Sequence, residues 1–553
     1  MGVEDSPSAS SSSSHVITNH LATTNASPMR SLSSASGGLY ISAPGKIILF
    51  GEHAVVYGKT AIAGSIDLRT YVSLFTSADG RIYLSLPDLQ VERTWMLKDL
   101  LKAGERLATE CPLNDDGPPS LELIVPIARK LSGACEDQCG VQHLAILAFW
   151  YLLIGIVQRK RALELVHGPD STPFPCELTD PKTKDLLAVK CTVRFKLPAC
   201  VGLGSSGAFC VCIATALLQT AGLIPPPHIQ VDDEGALTWD EVHLDMIRKW
   251  SAAAESLIHG RASGLDAAIC TYGGLALYKP TKRIENLQNV PDLKVILVNS
   301  RVERNTTRLV QTVRDRFKKF PKVIDGILES IDAISQEAAR ILQRPLNDEN
   351  GSQIVENGGR SATLTPSFTT EPEHNSLQPV SVGGRTSSLS SYVAGGKRGS
   401  TASAISSSSQ DPKMSAEARE LQHTFSKLND LCRINNQLLI ALGVGHAKVD
   451  QICTLLGRYG IHPKMTGAGG GGSVFAFLKP DTSQTVLNMI REELSKEGYE
   501  MWQPPLGGPG VMCHTVKPDL FFAGGGSTGP SQTSRSNTPA GSHQSTPAIK
   551  HKK

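Results

Sequence analysis

The chain has 553 residues, 40% of them hydrophobic, and 55 Lys and Arg against 52 Asp and Glu leave a formal net charge of +3. A balance so close to neutral makes no basic field of the kind that holds nucleic acid. The twelve cysteines follow no framework spacing, which argues against a disulfide-stapled fold and fits reduced thiols.

Three stretches are too poor in apolar side chains to offset their ordering entropy and read as disordered: residues 1–38, the Ser-rich insert 345–412 and the tail 524–553. About 400 residues remain, enough for two cores. No charged-then-apolar leader opens the chain, Arg is too scarce for a transit peptide, and the C-terminal His-Lys-Lys matches no retention signal; the expectation is a cytoplasmic protein. Val141–Val157, the longest apolar run, is broken by Gln142, His143 and Gly155 and reads as a buried helix, so no membrane partner is expected. Cys135 and Cys139 lack a second pair at zinc spacing.

The ordered part opens near Gly38. Leu39–Phe50 reads as two short strands broken at Pro44-Gly45, followed by G-E-H-A-V-V-Y-G. Lys46 precedes Ile47, Ile48, Leu49 and Phe50, so its charge is a plain turn lysine, or else lies at the mouth of a buried strand or is paired. Glu52 and His53 bracket the far end of the same run. Further strands are expected at Leu68–Phe75 and Ile82–Leu86. Val189, Cys191, Val193, Phe195 and Leu197 alternate with Lys190, Thr192, Arg194 and Lys196, a strand with one buried and one wet face.

The stretch Ala199–Gly222 follows. Gly202 and Gly204 allow a tight turn, and Ser205 and Ser206 open an apolar helix, Phe209–Leu218, that Gly222 stops. Strand, glycine turn and helix N-terminus gather unpaired N–H groups and a positive dipole end, a site for phosphate; a plain helix start with serine caps is the alternative. No Lys-Ser or Lys-Thr pair follows the glycines, and the dinucleotide fingerprint is absent.

Asp240–Gly260 is helical in pattern, with Ile247, Ser251, Glu255 and Ile258 on one face. Glu255 then lies on an apolar stripe, where it either snorkels outward or meets a cation. Asp266, between Gly264 and an apolar run, is either a helix cap or a group that orients a hydroxyl or accepts its proton. Leu293–Asn299 is a buried strand, and a long helix runs through Phe320 and Ile324 to the insert. Helical pattern resumes at Ser415, so the insert joins two helices of one domain. The glycine run Gly467–Gly472, around Ala468, suggests a second backbone-lined anion site.

Three ordered motifs, P-G-K-I-I-L-F-G-E-H-A-V-V-Y-G, G-L-G-S-S-G-A and K-M-T-G-A-G-G-G-G, resemble those of the galacto-, homoserine, mevalonate and phosphomevalonate kinase (GHMP kinase) superfamily. I-H-G-x-x-S-G-L-D, R-N-T, I-D-A-I-S and G-V-G-H-A resemble its mevalonate kinase branch, over about Leu39 to His514 without the insert. The resemblance implies a two-domain α+β fold: an N-terminal ATP-binding α/β domain with a left-handed βαβ unit over 39–288, and a C-terminal ferredoxin-like domain over 289–523. It implies transfer of the γ-phosphate of ATP to the C5 hydroxyl of mevalonate, with Mg2+. Carried over by position, Asp266 and Lys46 are the catalytic pair, and Ser206 and Glu255 hold the metal. Lys46 also binds ATP; Cys200, Val201, Gly202, Leu203, Gly204, Ser205 and Ser206 cover its phosphates, and Glu52, His53, Thr306 and Ala468 line the alcohol. Inhibition by prenyl diphosphates and a homodimer are implied too.

The chain departs from the family pattern in places. Arg261 and Ala262 stand where Asn-Pro is usual, Cys200-Val201 where Gly-Ala begins the loop, and Asp88 and Phe195 where an Asn and a Ser sit on the adenine side. K-R-G-S-T in the insert is either a phosphorylation target or part of a neutral spacer. A kinase of another alcohol, or a sensor that keeps the fold without turnover, are the competing functions; the complete set Lys46, Ser206, Glu255 and Asp266 speaks against the sensor.

Overall fold

The computed structural model describes residues 38–110, 117–133, 140–168, 172–198, 201–260, 263–279, 284–343 and 416–522. Cys135, Cys139, Cys200, Arg261, Ala262, the insert 345–412, the tail 524–553 and residues 1–37 lie outside them, so the expectations made there are carried no further.

The first half holds β1 (Leu39–Phe50), β2 (Ala61–Ser77), β3 (Arg81–Leu86), β4 (Val91–Met96), helices α1 (Leu97–Glu110), α2 (Leu121–Ser132) and α3 (Val141–His167), and β5 (Ala188–Phe195). Then come α4 (Ser205–Thr220), β6 (Ile229–Gln230), β7 (Leu237–Thr238), α5 (Glu241–His259), α6 (Leu265–Tyr272), β8 (Leu275–Tyr278) and β9 (Ile284–Asn286). The second half runs β10 (Val295–Asn299), α7 (Thr306–Lys319), α8 (Pro321–Leu342), α9 (Ala416–Ala441), α10 (Ala447–Gly457), β11 (Lys464–Met465), β12 (Ser473–Phe477), α11 (Gln484–Lys496), β13 (Glu500–Trp502) and β14 (Met512–His514).

The larger sheet has strand order β4-β3-β5-β2-β1-β14-β7-β6, with β8 also on β2 and β9 on β8. Only β3–β5 pairs in parallel among its described ladders, and the helices α1–α3 between those strands supply the crossover that parallel pairing needs. The smaller sheet, β11-β12-β10-β13, is antiparallel throughout. Numbered by its own strands that order is 2-3-1-4, with helices after the first and third: the β-α-β-β-α-β arrangement of a ferredoxin-like unit. The mixed α+β class expected from the motifs is what the chain adopts.

Several elements differ from their sequence reading. Leu39–Phe50 is one strand, because Pro44-Gly45 makes a register shift against β2 instead of a break; the residues bulged out of β2 absorb the proline. The strand expected at Leu68–Phe75 is the second half of the 17-residue β2. The long helix breaks at Phe320-Pro321, where proline fits a helix start but not a helix interior. Lys190, expected on a wet face, is buried and paired with Asp79 Oδ2 at 2.7 Å.

Helix α3 is long and apolar enough to cross a membrane by composition, but 78% of its apolar window is buried within the fold. Phe149 and Trp150 are fully covered, and Tyr151 donates its hydroxyl to Pro119 O at 2.6 Å. Burying each such side chain contributes about 1.5–3 kcal/mol. Helix α4, sealed on nearly every side, packs between the sheet and α5. This fixes the position of its N-terminus.

Candidate functional site

The site begins where the first glycine turn meets β1. Gly202 and Gly204 take φ values of 83° and 73°, a left-handed conformation that only glycine adopts cheaply. The turn is fastened to the strand: Lys46 N–H donates to Leu203 O at 2.8 Å. On α4, a Cβ at Gly207 would lie 3.0 Å from Asp266 Cβ, so glycine is what lets α6 approach. Asp266, in the first turn of α6, reaches Lys46 with Oδ1 2.7 Å from Nζ. Lys46 is 6% exposed, and of the readings open for it, the paired one holds.

Beyond this pair lies an oxygen-rich corner. Glu255, fixed on the apolar stripe of α5, is buried, so it does not snorkel. Its Oε1 is 3.5 Å from Ser206 Oγ, and its Oε2 has no hydrogen-bond partner among the described residues. Burial, and then the negative charge of Asp266, push the Glu255 carboxyl up to about 8, against the opposing pull of Lys46, Ala267 N–H and Ser206. An orphaned carboxylate oxygen beside a hydroxyl is a donor set that a hard divalent cation would satisfy. His259 Nε2 lies 2.9 Å from Ser206 Oγ. Burial holds that imidazole below its ordinary range despite the nearby Asp266.

The opposite end is built by the second glycine run. Gly467, Gly469, Gly470, Gly471 and Gly472 all have positive φ, from 67° to 124°. His53, itself at φ 60°, donates from Nε2 to Ala468 O at 2.9 Å. Burial again lowers its pKa. Such a backbone strain in a residue other than glycine is held by its surroundings and is common at functional sites. Glu52 pairs with Lys464 Nζ, both fully buried. Thr466 donates its hydroxyl to Ile48 O at 2.9 Å and accepts from Ile48 N–H at 3.1 Å, fastening this loop to β1 as well.

Arg304 lies between the two glycine turns. Its Nη1 donates to Thr466 O at 2.9 Å. A Cβ at Gly202 would fall 1.8 Å from its Nη2, and one at Gly467 2.8 Å from its Nη1. Its charge also acts on His53 and His259. Two phosphate-type turns thus face each other across one guanidinium.

Of the residues picked out in the sequence, the structure brings together Lys46, Glu52, His53, Leu203, Gly204, Ser205, Ser206, Glu255, Asp266 and Ala468, with Val201 and Gly202 on the same turn. Val201 O accepts from Ser473 N–H at 3.2 Å. Thr306 stands apart: it is exposed at the start of α7 and makes none of these contacts. On the expected adenine side, Asp88 is already engaged. Its carboxylate accepts from Arg194 Nε at 3.0 Å, Arg194 Nη2 at 3.2 Å and Phe195 N–H at 2.8 Å. The Phe195 ring stacks on Phe209, with centroids 6.3 Å apart.

Sequence reasoning missed His259, Arg304, Lys464 and Thr466. His259 was within reach, since it follows Glu255 by four on one helix face. Arg304, Lys464 and Thr466 lie inside quoted motifs, but only folding shows that they join segments far apart in the chain.

Residues 176–274 match the family model for the GHMP kinases N terminal domain, and residues 415–496 that for GHMP kinases C terminal. The chain is similar to the mevalonate kinase of Bos taurus, 34% identical over 478 residues covering 86% of this chain and 95% of the relative. The Homo sapiens mevalonate kinase is 32% identical over the same shares. A crystal structure of a Listeria innocua protein covers 87% of this chain and all of its own, with TM-score 0.50 at 14% identity, a likeness of fold alone. With both motif turns, the ferredoxin-like second half and relatives matched along nearly their whole length, this chain belongs to the mevalonate kinase family of GHMP kinases.

Proposed function

We propose that this chain transfers the γ-phosphate of ATP to the C5 hydroxyl of mevalonate, giving 5-phosphomevalonate, with Mg2+ as the metal. The observation that carries the reading is the Lys46–Asp266 pair, 2.7 Å apart, set between the Ser206–Glu255 corner and the Glu52–His53 end. In phosphoryl transfer most of the acceleration comes from positioning and charge. Asp266 Oδ accepts the hydroxyl proton or orients that hydroxyl, and Lys46 favours the ionised oxygen. The turn Val201–Ser206, with Cys200 before it, cradles the phosphates through backbone N–H groups at the start of α4. Ser206 and Glu255 would hold Mg2+, which when bound neutralises phosphate charge. Glu52, His53 and the Ala468 backbone line the alcohol, with Thr306 on its outer side.

Competition by prenyl diphosphates for the ATP site and a homodimer, both implied by the family resemblance, complete the proposal. All eight described cysteines are free, which supports a reducing compartment such as the cytoplasm. The test is ADP release with mevalonate, phosphomevalonate and galactose, against an Asp266→Ala control. Turnover confined to mevalonate and lost in the control is the expected result. Preference for another alcohol reassigns the substrate, and a wild-type rate equal to the control leaves only a sensor.

A further inference from the structure

The pair Glu52–Lys464 lies in the most deeply buried part of the site, and the reaction as described gives Lys464 no task. Lys464 is 0% exposed, and its Nζ contacts Glu52 Oε1 and donates to Met465 O at 3.0 Å. The Phe50 and Phe475 rings flank the ammonium, with centroids 5.6 and 5.1 Å away, which favours the cation and fixes its position. Stability alone is a poor reason for such a pair, because well-packed apolar residues usually serve a core as well or better. Glu52 Oε2, also buried, has no hydrogen-bond partner among the described residues, and a carboxylate oxygen without one is costly unless a ligand supplies it. The charged groups acting on Glu52 are Lys464 on β11 and Lys46 on β1, while Glu52 and Lys464 in turn both act on the Cys432 thiol of α9. His53 is its chain neighbour.

Resting on the reading of this site as a kinase for a small alcohol, we propose that Lys464 is a positioning residue for the acceptor substrate. Its ammonium opposes the burial that disfavours the Glu52 carboxylate and keeps that group turned so that Oε2 accepts a substrate hydroxyl. Lys464 touches no substrate; it acts through Glu52. The row Lys464, Glu52, Lys46, Asp266 then alternates in charge from the buried end of the site to the reacting oxygen, so that substrate recognition and the catalytic pair share one line of electrostatics.

Burial already raises the Glu52 pKa, and Lys464 is the largest influence opposing it. Removing Lys464 therefore shifts the Glu52 pKa further up and favours the neutral acid, and raising the pH favours the carboxylate. The test is KM for mevalonate against pH in wild type, Lys464→Met, Lys464→Arg, Glu52→Gln and Glu52→Gln/Lys464→Met, with kcat and KM for ATP alongside. Lys464→Met is expected to raise KM for mevalonate about tenfold or more near pH 7, falling back toward wild type as the pH is raised, with KM for ATP unchanged. Lys464→Arg, which keeps the charge, should retain most of the affinity. Glu52→Gln should show the high KM without recovery at any pH, and the double variant should match it. A wild-type KM in Lys464→Met at every pH overturns the proposal. Should Lys464→Met not fold, the double variant, which buries neither charge, decides: a KM more than about threefold above that of Glu52→Gln gives Lys464 a separate role and overturns it. Failure of the kinase reading is distinct, since wild type would then release no ADP with mevalonate.

Discussion

Lys46 and Asp266, 220 residues apart in the chain, meet with Nζ and Oδ1 2.7 Å apart, one held by the bulged strand β1 and the other by the first turn of α6. Asp266→Asn keeps the shape of the carboxylate and removes its charge. We expect kcat to fall by about 10²–10⁴, with KM for ATP within a few-fold. Steady-state ADP release checks this, and an unchanged kcat would remove Asp266 from the chemistry.

Glu255 carries the metal expectation. Glu255→Gln should raise the Mg2+ concentration for half-maximal rate by about tenfold or more, while Ser206→Ala, which removes a neutral ligand, should have the smaller effect. Titrating the rate with Mg2+ at fixed ATP separates the two.

Without divalent cation, Glu255 makes stability fall with rising pH. Its folded pKa, near 8 because of burial and Asp266, lies above the ordinary value of 4.5. The folded state therefore binds more protons between those values, and the stabilisation is lost as pH rises through about 8. In chelator, thermal unfolding should move down by a few degrees between about pH 6 and about pH 9, and Glu255→Gln should flatten that slope.

Glycine substitutions should split by location. Gly202→Ala places a Cβ against Arg304 at φ 83°, and its KM for ATP should rise about tenfold or more. Gly326, exposed within α8 and with open space around it, is the control. Gly326→Ala should leave turnover unchanged and add about 0.5–1 kcal/mol in urea unfolding.

The readable part of this chain was what periodicity and punctuation encode. Asp240 caps α5 through the His243 N–H, Gly202 and Gly204 turn where a tight turn was expected, and the stripe through Ile247, Ser251 and Glu255 is buried. What stayed hidden depends on partners supplied from afar. Lys190 looked wet because alternation says nothing of Asp79 across the sheet, and nothing beside Lys464 in the sequence announces Glu52, 412 residues away. Pro44 read as a break because sequence does not reveal that β2 can bulge to accommodate it.

Thr466 grips both polar groups of one peptide residue, Ile48, on the strand that also bears Lys46. Rotation at that joint would have to break two bonds together, so the second glycine run is fastened to the backbone of β1. Lys46 is thereby tied to the second glycine run on one side and, through its own N–H to Leu203 O, to the first on the other.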